Sequence, residues 1–332
     1  MKTLQSSFAM TTRRPAVLLA STRLPGRVWR GWLLVALILG AAPALQAAGT
    51  AQNFNSPEEA VAALTAAVNA KDTAALRVIF GPAGADIENH DPVQAANELA
   101  AFAAALKETS RIVRLGDTRC VLEAGKEFWP FPIPMVKANG QWQFDVRAGK
   151  EELLNRRIGR NELQAIQVVR AYVEAQREYA SRDRDGGEVL KYAQRLRSSP
   201  GKKDGLYWPQ ELDGEISPFG PLVAEAQVHG YEIKPNDKSS APRSFNGYFF
   251  KILTRQGSHA PGGRYDYIIN GNMIGGFALV AWPAEYGRSG IMTFIVNQQG
   301  RVYQKDLGSK TVSSVKSLTS YDPDKTWTLS RD

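Results

Sequence analysis

The sequence predicts an α+β protein of two domains, an N-terminal cone of helices plus a curled antiparallel sheet and a C-terminal long helix packed on an antiparallel meander. Three observations predict it. Between Pro57 and Glu108 the apolar residues recur at helical spacing, and from Arg111 to Val146 the period changes to alternation. After Asn161 the same change occurs again, from one long amphipathic stretch to glycine-punctuated runs rich in aromatic and β-branched residues. With 332 residues the chain is long enough for two cores.

Ser56-Pro57-Glu58-Glu59 is a capping box with proline at the first helical position, and Val61, Leu64 and Val68 then share a face. Asp72 caps a second short helix with Leu76, Ile79 and Phe80, which Gly81 ends. Asp91-Pro92 opens a third, alanine-rich helix carrying Leu99, Phe102 and Leu106. Strands are expected over 111–115, 119–122, 135–137 and 141–146, with Asn139-Gly140 as the strongest hairpin signal in the chain. The polar stretch 148–160, rich in Lys, Arg and Glu, is expected to join a domain at 54–147 to a second at 161–332, either as a flexible linker or as a helical hinge that buries Leu153, Leu154 and Ile158. Asn161 is expected to begin the longest helix, which Asp183-Arg184-Asp185-Gly186-Gly187 stops near Arg182. Four strand-like runs follow, 248–254, 277–283, 291–296 and 301–305, the last two joined as a hairpin through Asn297-Gln298-Gln299-Gly300.

Three helices before a sheet with a Trp142-x-Phe144 strand resemble the nuclear transport factor 2-like fold over residues 54–147. The helix after Asn161, the run 175–180 and the segments 290–294 and 300–303 resemble the globular half of pilins and pseudopilins, although the helix here is internal and amphipathic, so no pilus assembly is implied. The segments 156–162, 204–208, 217–222 and 275–281 resemble a bacterial exported family catalogued as domain of unknown function 2950. That resemblance spans nearly all of the mature chain and implies export, with no activity to carry over.

The first 47 residues read as a secretory signal peptide: a basic region to Arg30, an apolar run from Gly31 to Leu45, and a small residue, Ala47, at the cleavage position. The apolar run is about 15 residues, short of the roughly 20 a spanning helix needs. A periplasmic or secreted protein with no stable membrane span is the expectation. The formal net charge is +8, but six basic residues precede Glu58, and without them 35 basic residues face 33 acidic ones. No polyanion or nucleic-acid partner is therefore required. The one cysteine, Cys120, sits in a strand-like run and forms no internal disulfide, so the fold rests on its apolar cores.

Asp183, Asp185 and Glu188 crowd carboxylates around two glycines, as a calcium loop does, but Gly187 stands where a ligand belongs and Glu188 comes too early. A helix-ending turn explains the same residues, and no metal or cofactor is expected. Ser258-His259 to Tyr265-Asp266-Tyr267 is the most unusual loop, yet Ser258 is badly placed for a nucleophile and no Gly-x-Ser-x-Gly elbow exists. Tyr207-Trp208 and Tyr265 with Tyr267 are loop aromatics able to stack on a sugar or anchor a peptide. The leading expectation is a non-catalytic envelope binding or assembly module whose face comprises Tyr207, Trp208, His259, Tyr265, Asp266, Tyr267 and Asn270, taking a cell-wall component or a protein partner. The alternative is a hydrolase acting on an envelope substrate through His259 and Asp266. A third possibility places a small-ligand cavity in the first domain beside Phe102, Trp129 and Trp142.

Overall fold

A computed structural model describes residues 50–184, 186–212, 214–231 and 244–330, and the leader expected over residues 1–47 lies outside them. α1 (Pro57–Ala70) starts where its cap requires: Ser56 Oγ accepts from the Glu59 N–H at 3.1 Å, and Glu59 Oε2 accepts from the Asn55 N–H at 2.8 Å. Asp72 caps α2 (Thr73–Phe80), and Asp91 caps α3 (Pro92–Glu108) through the N–H groups of Val93 and Gln94. An antiparallel sheet follows: β1 (Ser110–Arg114), β2 (Arg119–Ala124), β3 (Trp129–Pro130), β4 (Met135–Ala138) and β5 (Gln141–Phe144). β2 lies between β1 and β4, with β3 pairing to its end. Asn139 and Gly140 both take positive φ, 52° and 84°, which a two-residue hairpin with the strand twist demands. Cys120, in β2, is fully buried, and burial pushes its thiol pKa up.

α4 (Val146–Tyr179) takes up the joining stretch as helix, the second of the two expected forms. Asp145 caps it through the Ala148 N–H at 3.1 Å, so the stretch 148–160 forms its first turns and runs unbroken into the helix expected from Asn161. Its 34 residues extend about 50 Å. Leu153 belongs to a buried cluster made by α1–α3 and the first sheet, while Ala165, Ile166, Val169, Tyr172 and Val173 belong to a second cluster. One rod is thus rooted in both clusters.

The chain then runs irregularly to α5 (Gly220–Val228), β6 (Tyr248–Leu253), β7 (Arg255–Gln256), β8 (Tyr265–Asp266), β9 (Ile268–Ile269), β10 (Asn272–Met273), β11 (Ala278–Pro283), β12 (Met292–Asn297), β13 (Tyr303–Asp306), α6 (Thr311–Ser317) and β14 (Thr328–Leu329). The second sheet is antiparallel in the order β14-β13-β12-β11-β6, with β7–β8 and β9–β10 as separate small ladders. The expected β12–β13 hairpin closes through the Gly300 N–H on Asn297 O at 2.8 Å. Residues 278–281 of β11 are all fully buried, which a strand achieves only when both faces are covered, and α4 and α6 pack against it. Lys251 in β6 donates to Val315 O and Leu318 O, both at 2.8 Å, placing a cation at the C-terminal end of α6.

Polar side chains tie α4 to the loops on either side of it. Asn161, fully buried, accepts from Gln94 Nε2 at 2.7 Å and donates to Ser289 O at 2.9 Å. Glu162 Oε1 accepts from the N–H groups of Ile291 and Met292, both at 2.9 Å. Gly247 sits against Asn161 and Ser289 with φ of +73°; a Cβ there would stand 2.7 Å from the Asn161 amide nitrogen.

Candidate functional site

An apolar groove of about 260 Å³ lies beside β6, the last strand in the order of the second sheet. Its floor is Leu279 of β11 and Val168 of α4, both buried, with Phe250 of β6 beside them. One wall is α5, where Phe219 leads into the helix and Leu222, Val223 and Ala226 fall at helical spacing on the inner side. The opposite wall is Leu196 with Tyr207, brought together by the backbone pairing of Arg197 with Tyr207 and by the Tyr207 N–H on Leu196 O at 3.0 Å. Arg197, Tyr231 and Ser244 supply the few polar groups at the margin.

Tyr231 is fixed by its hydroxyl, which donates to Asp91 Oδ2 at 2.8 Å; burial first, then the Asp91 charge, pushes its pKa up, so it stays a neutral donor. Apolar walls with a few polar groups at one margin suit a ligand that buries hydrocarbon and presents a polar end. No group of three or more His, Cys, Asp or Glu among the described residues is arranged to hold a metal ion, and no described helix is long and apolar enough to cross a membrane.

A family model matches residues 51–329, from the strand-like start at Phe54 through both buried clusters and the groove. The chain belongs to the family described as protein of unknown function DUF2950. No curated protein and no solved structure matches it.

Of the seven residues that the sequence assigns to a binding face, the DUF2950 fold brings only Tyr207 to the groove. Trp208 is 1% exposed, its indole N–H donates to Glu215 O at 3.2 Å, and Arg184 and Lys203 lie 5.4 Å and 5.3 Å over its ring. It is a core residue closed by cations, not a free stacking platform. Tyr267 is fully buried as well, and its hydroxyl donates to Gln256 Oε1 at 3.1 Å. Tyr265 remains at the surface, edge-on to Tyr267. Asn270, exposed with φ of 51°, is a turn residue between β9 and β10.

His259 and Asp266 do not meet. The imidazole Nδ1 lies 3.0 Å from Asp322 Oδ1, which also accepts the His259 backbone N–H at 2.8 Å, whereas Asp266 pairs with Arg255 at 3.3 Å. Asp322 lies 63 residues away, so no local signal pointed to it. Asp183 spends its carboxylate on the backbone N–H groups of Gly186, Gly187 and Glu188, which gives the helix-ending turn; Asp185 lies outside the described residues. Phe102 stacks on Phe131 with ring centroids 5.1 Å apart, and Trp142 is buried beside Phe54, so both are core residues, while Trp129 is half-buried.

Phe219, Leu222, Val223 and Phe250, which shape the groove, were not singled out as site residues by sequence reasoning. The one usable signal was the segment Ser217-Pro218-Phe219-Gly220-Pro221-Leu222, where apolar residues stand among turn formers.

Proposed function

We propose that this DUF2950 protein is an exported, non-catalytic binding module of the cell envelope, and that its ligand buries an apolar portion in the groove between α5, β6 and the Tyr207 loop. The groove itself carries the reading: about 260 Å³ bordered by Leu196, Phe219, Leu222, Val223 and Phe250 is a volume that suits one short hydrocarbon chain or a pair of apolar peptide side chains. Export is supported by the basic-then-apolar leader ending near Ala47. The order of helices and sheets supports a likeness to nuclear transport factor 2-like modules in the first half, and to pilin globular domains in the second.

The test uses the neutral dye N-phenyl-1-naphthylamine. Wild-type protein is expected to bind it saturably, and Leu222→Asp, which sets a charge on a half-buried apolar wall, is expected to weaken binding at least about tenfold, with the melting temperature little changed. Saturable binding with equal affinity in the variant, or no saturable binding at all, would sink the reading. Export is tested separately by N-terminal sequencing of protein recovered from the periplasm or medium, which should begin close to Ala48.

The hydrolase reading survives only in altered form, with Asp322 orienting His259 in place of Asp266. The pair is half open to solvent, with the imidazole side chain 56% exposed. His259→Ala abolishing turnover of an ester or amide substrate would support it; retained turnover would remove it.

A further inference from the structure

A second, smaller recess of about 50 Å³ lies where α4 meets the loop before α3 and the loop after β11. Arg157 lines it and is only 2% exposed, yet its guanidinium meets no carboxylate: Nη1 donates to Glu88 O at 2.9 Å, Nη2 to Ile87 O at 2.7 Å, and Nε has no partner. Burial, and then the nearby Arg288 charge, lowers its pKa to about 10, against the opposing pull of the Glu285 carboxylate. Arg288 lines the same recess and donates only to Ala85 O at 2.8 Å.

The acidic groups around the recess are engaged elsewhere. Asp91 caps α3 and accepts from Tyr231, Glu285 meets His90 Nδ1 at 2.6 Å, and Glu88 approaches His90 Nε2 at 4.0 Å. Two guanidinium groups therefore line one polar recess with backbone carbonyls, and no carboxylate among the described residues, as their hydrogen-bond acceptors, while Glu88, Asp91 and Glu285 of the same lining hold other partners. Such an arrangement is costly in a dry interior and favourable with an oxyanion between the two.

We propose that this recess is a binding site for a single small oxyanion, a phosphate or carboxylate, held by Arg157 and Arg288. Its volume accommodates one such group, given that a water needs roughly 10–15 Å³ on the same measure. Access is through the His90–Glu285 side, where those side chains are 46% and 37% exposed. Arg157 supplies fixed donors from the rigid middle of α4, and Arg288 supplies the second from a surface loop. The site does not depend on the groove, but it adjoins it: Ser244 lines both. The oxyanion is then either a free ion or the head of a molecule whose hydrocarbon lies in the groove.

Isothermal titration with inorganic phosphate and with decyl phosphate, in chloride at constant ionic strength, tests the proposal and separates the two sources. Arg288→Gln is expected to weaken binding at least about tenfold, while Arg177→Gln, a surface arginine paired with Glu174, leaves it unchanged. Arg288 is half-exposed, so the variant keeps the buried Arg157 in place.

Phosphate binding that depends on Arg288 and ignores Leu222→Asp, with decyl phosphate no tighter, identifies a free-anion site. Decyl phosphate binding tighter than phosphate, and weakened by both Arg288→Gln and Leu222→Asp, identifies a headgroup site. Binding of neither ligand, or binding that Arg288→Gln leaves intact, overturns the proposal. Decyl phosphate binding that responds to Leu222→Asp alone overturns it while leaving the groove reading standing.

Discussion

The two buried clusters use aromatic residues in different ways. In the first, Phe54, Phe80, Phe102, Phe131 and Phe144 interlock edge-to-face, tilted or stacked, with centroids between 5.1 Å and 6.5 Å, and ask nothing of the backbone. In the second, tyrosines dominate. Tyr172 donates to Ala278 O at 3.2 Å and Tyr248 to Met292 O at 2.9 Å, so each ring also fixes a particular strand. The phenylalanine cluster closes on itself as packing alone permits. The tyrosine cluster is set by directional bonds as well as packing. The groove and the recess proposed to bind ligands lie on the second region and on the polar seam beside α4.

Substitutions in the two clusters should therefore fail for different reasons. Phe144→Ala, at a side chain 2% exposed and touching three other rings, should cost about 3–5 kcal/mol in urea unfolding, from lost apolar burial and the cavity left behind. Because α4 is rooted in both clusters, the loss should appear as one shifted transition reported alike by far-UV circular dichroism and tryptophan fluorescence; two separated transitions would show that the clusters unfold independently.

Gln176→Ala removes an amide that bonds both the N–H and the C=O of Ala193 at 2.8 Å and the Tyr172 hydroxyl at 3.0 Å, all buried. About 2–3 kcal/mol is expected from the stranded groups, and a Leu replacement of similar size should not restore it, which distinguishes lost hydrogen bonding from lost volume.

The smallest effect is expected at Glu215, which pairs with Lys203, Arg184 and Arg182 around the Trp208 ring. The Lys203 hydrogen bond first, and the Arg184 contacts, hold its carboxyl below the usual glutamate range. A depressed folded-state pKa adds stability above the unfolded value, and that stability disappears as pH falls through the folded one. Glu215→Gln should thus melt slightly below wild type at pH 7, by under about 1 kcal/mol for so exposed a group, and the gap should close as pH drops below the ordinary glutamate range. A gap that persists at low pH would mean that shape, not charge, is what the glutamate supplies.

The sequence was most legible where the deciding contact lies within a few residues. Ser56, Asp72 and Asp91 cap the helices they were expected to cap, Asn139-Gly140 makes its hairpin, and Asn297 to Gly300 joins β12 to β13. It was least legible where partners come from afar. The charged stretch 148–160 left a flexible linker and a helical hinge both open, and it is helix, with Leu153, Arg157 and Ile158 buried by distant segments. Trp208 looked like a loop aromatic because nothing nearby in the chain announces that Arg184 will cover it. Of the groove, only Tyr207 was visible in advance, since its lining comes from α4, α5, β6, β11 and two loops.

The amino-acid order alone determined the α+β class, the caps, the tight turns and a basic leader followed by an apolar run, because each is a matter of local hydrogen bonding, backbone preference or composition. Tertiary structure alone decided that α4 is one rod, that His259 meets Asp322 and not Asp266, and that two arginines line a recess in which neither donates to a carboxylate. Burial and charge compensation depend on which distant segments come together, and no short window of sequence contains that information.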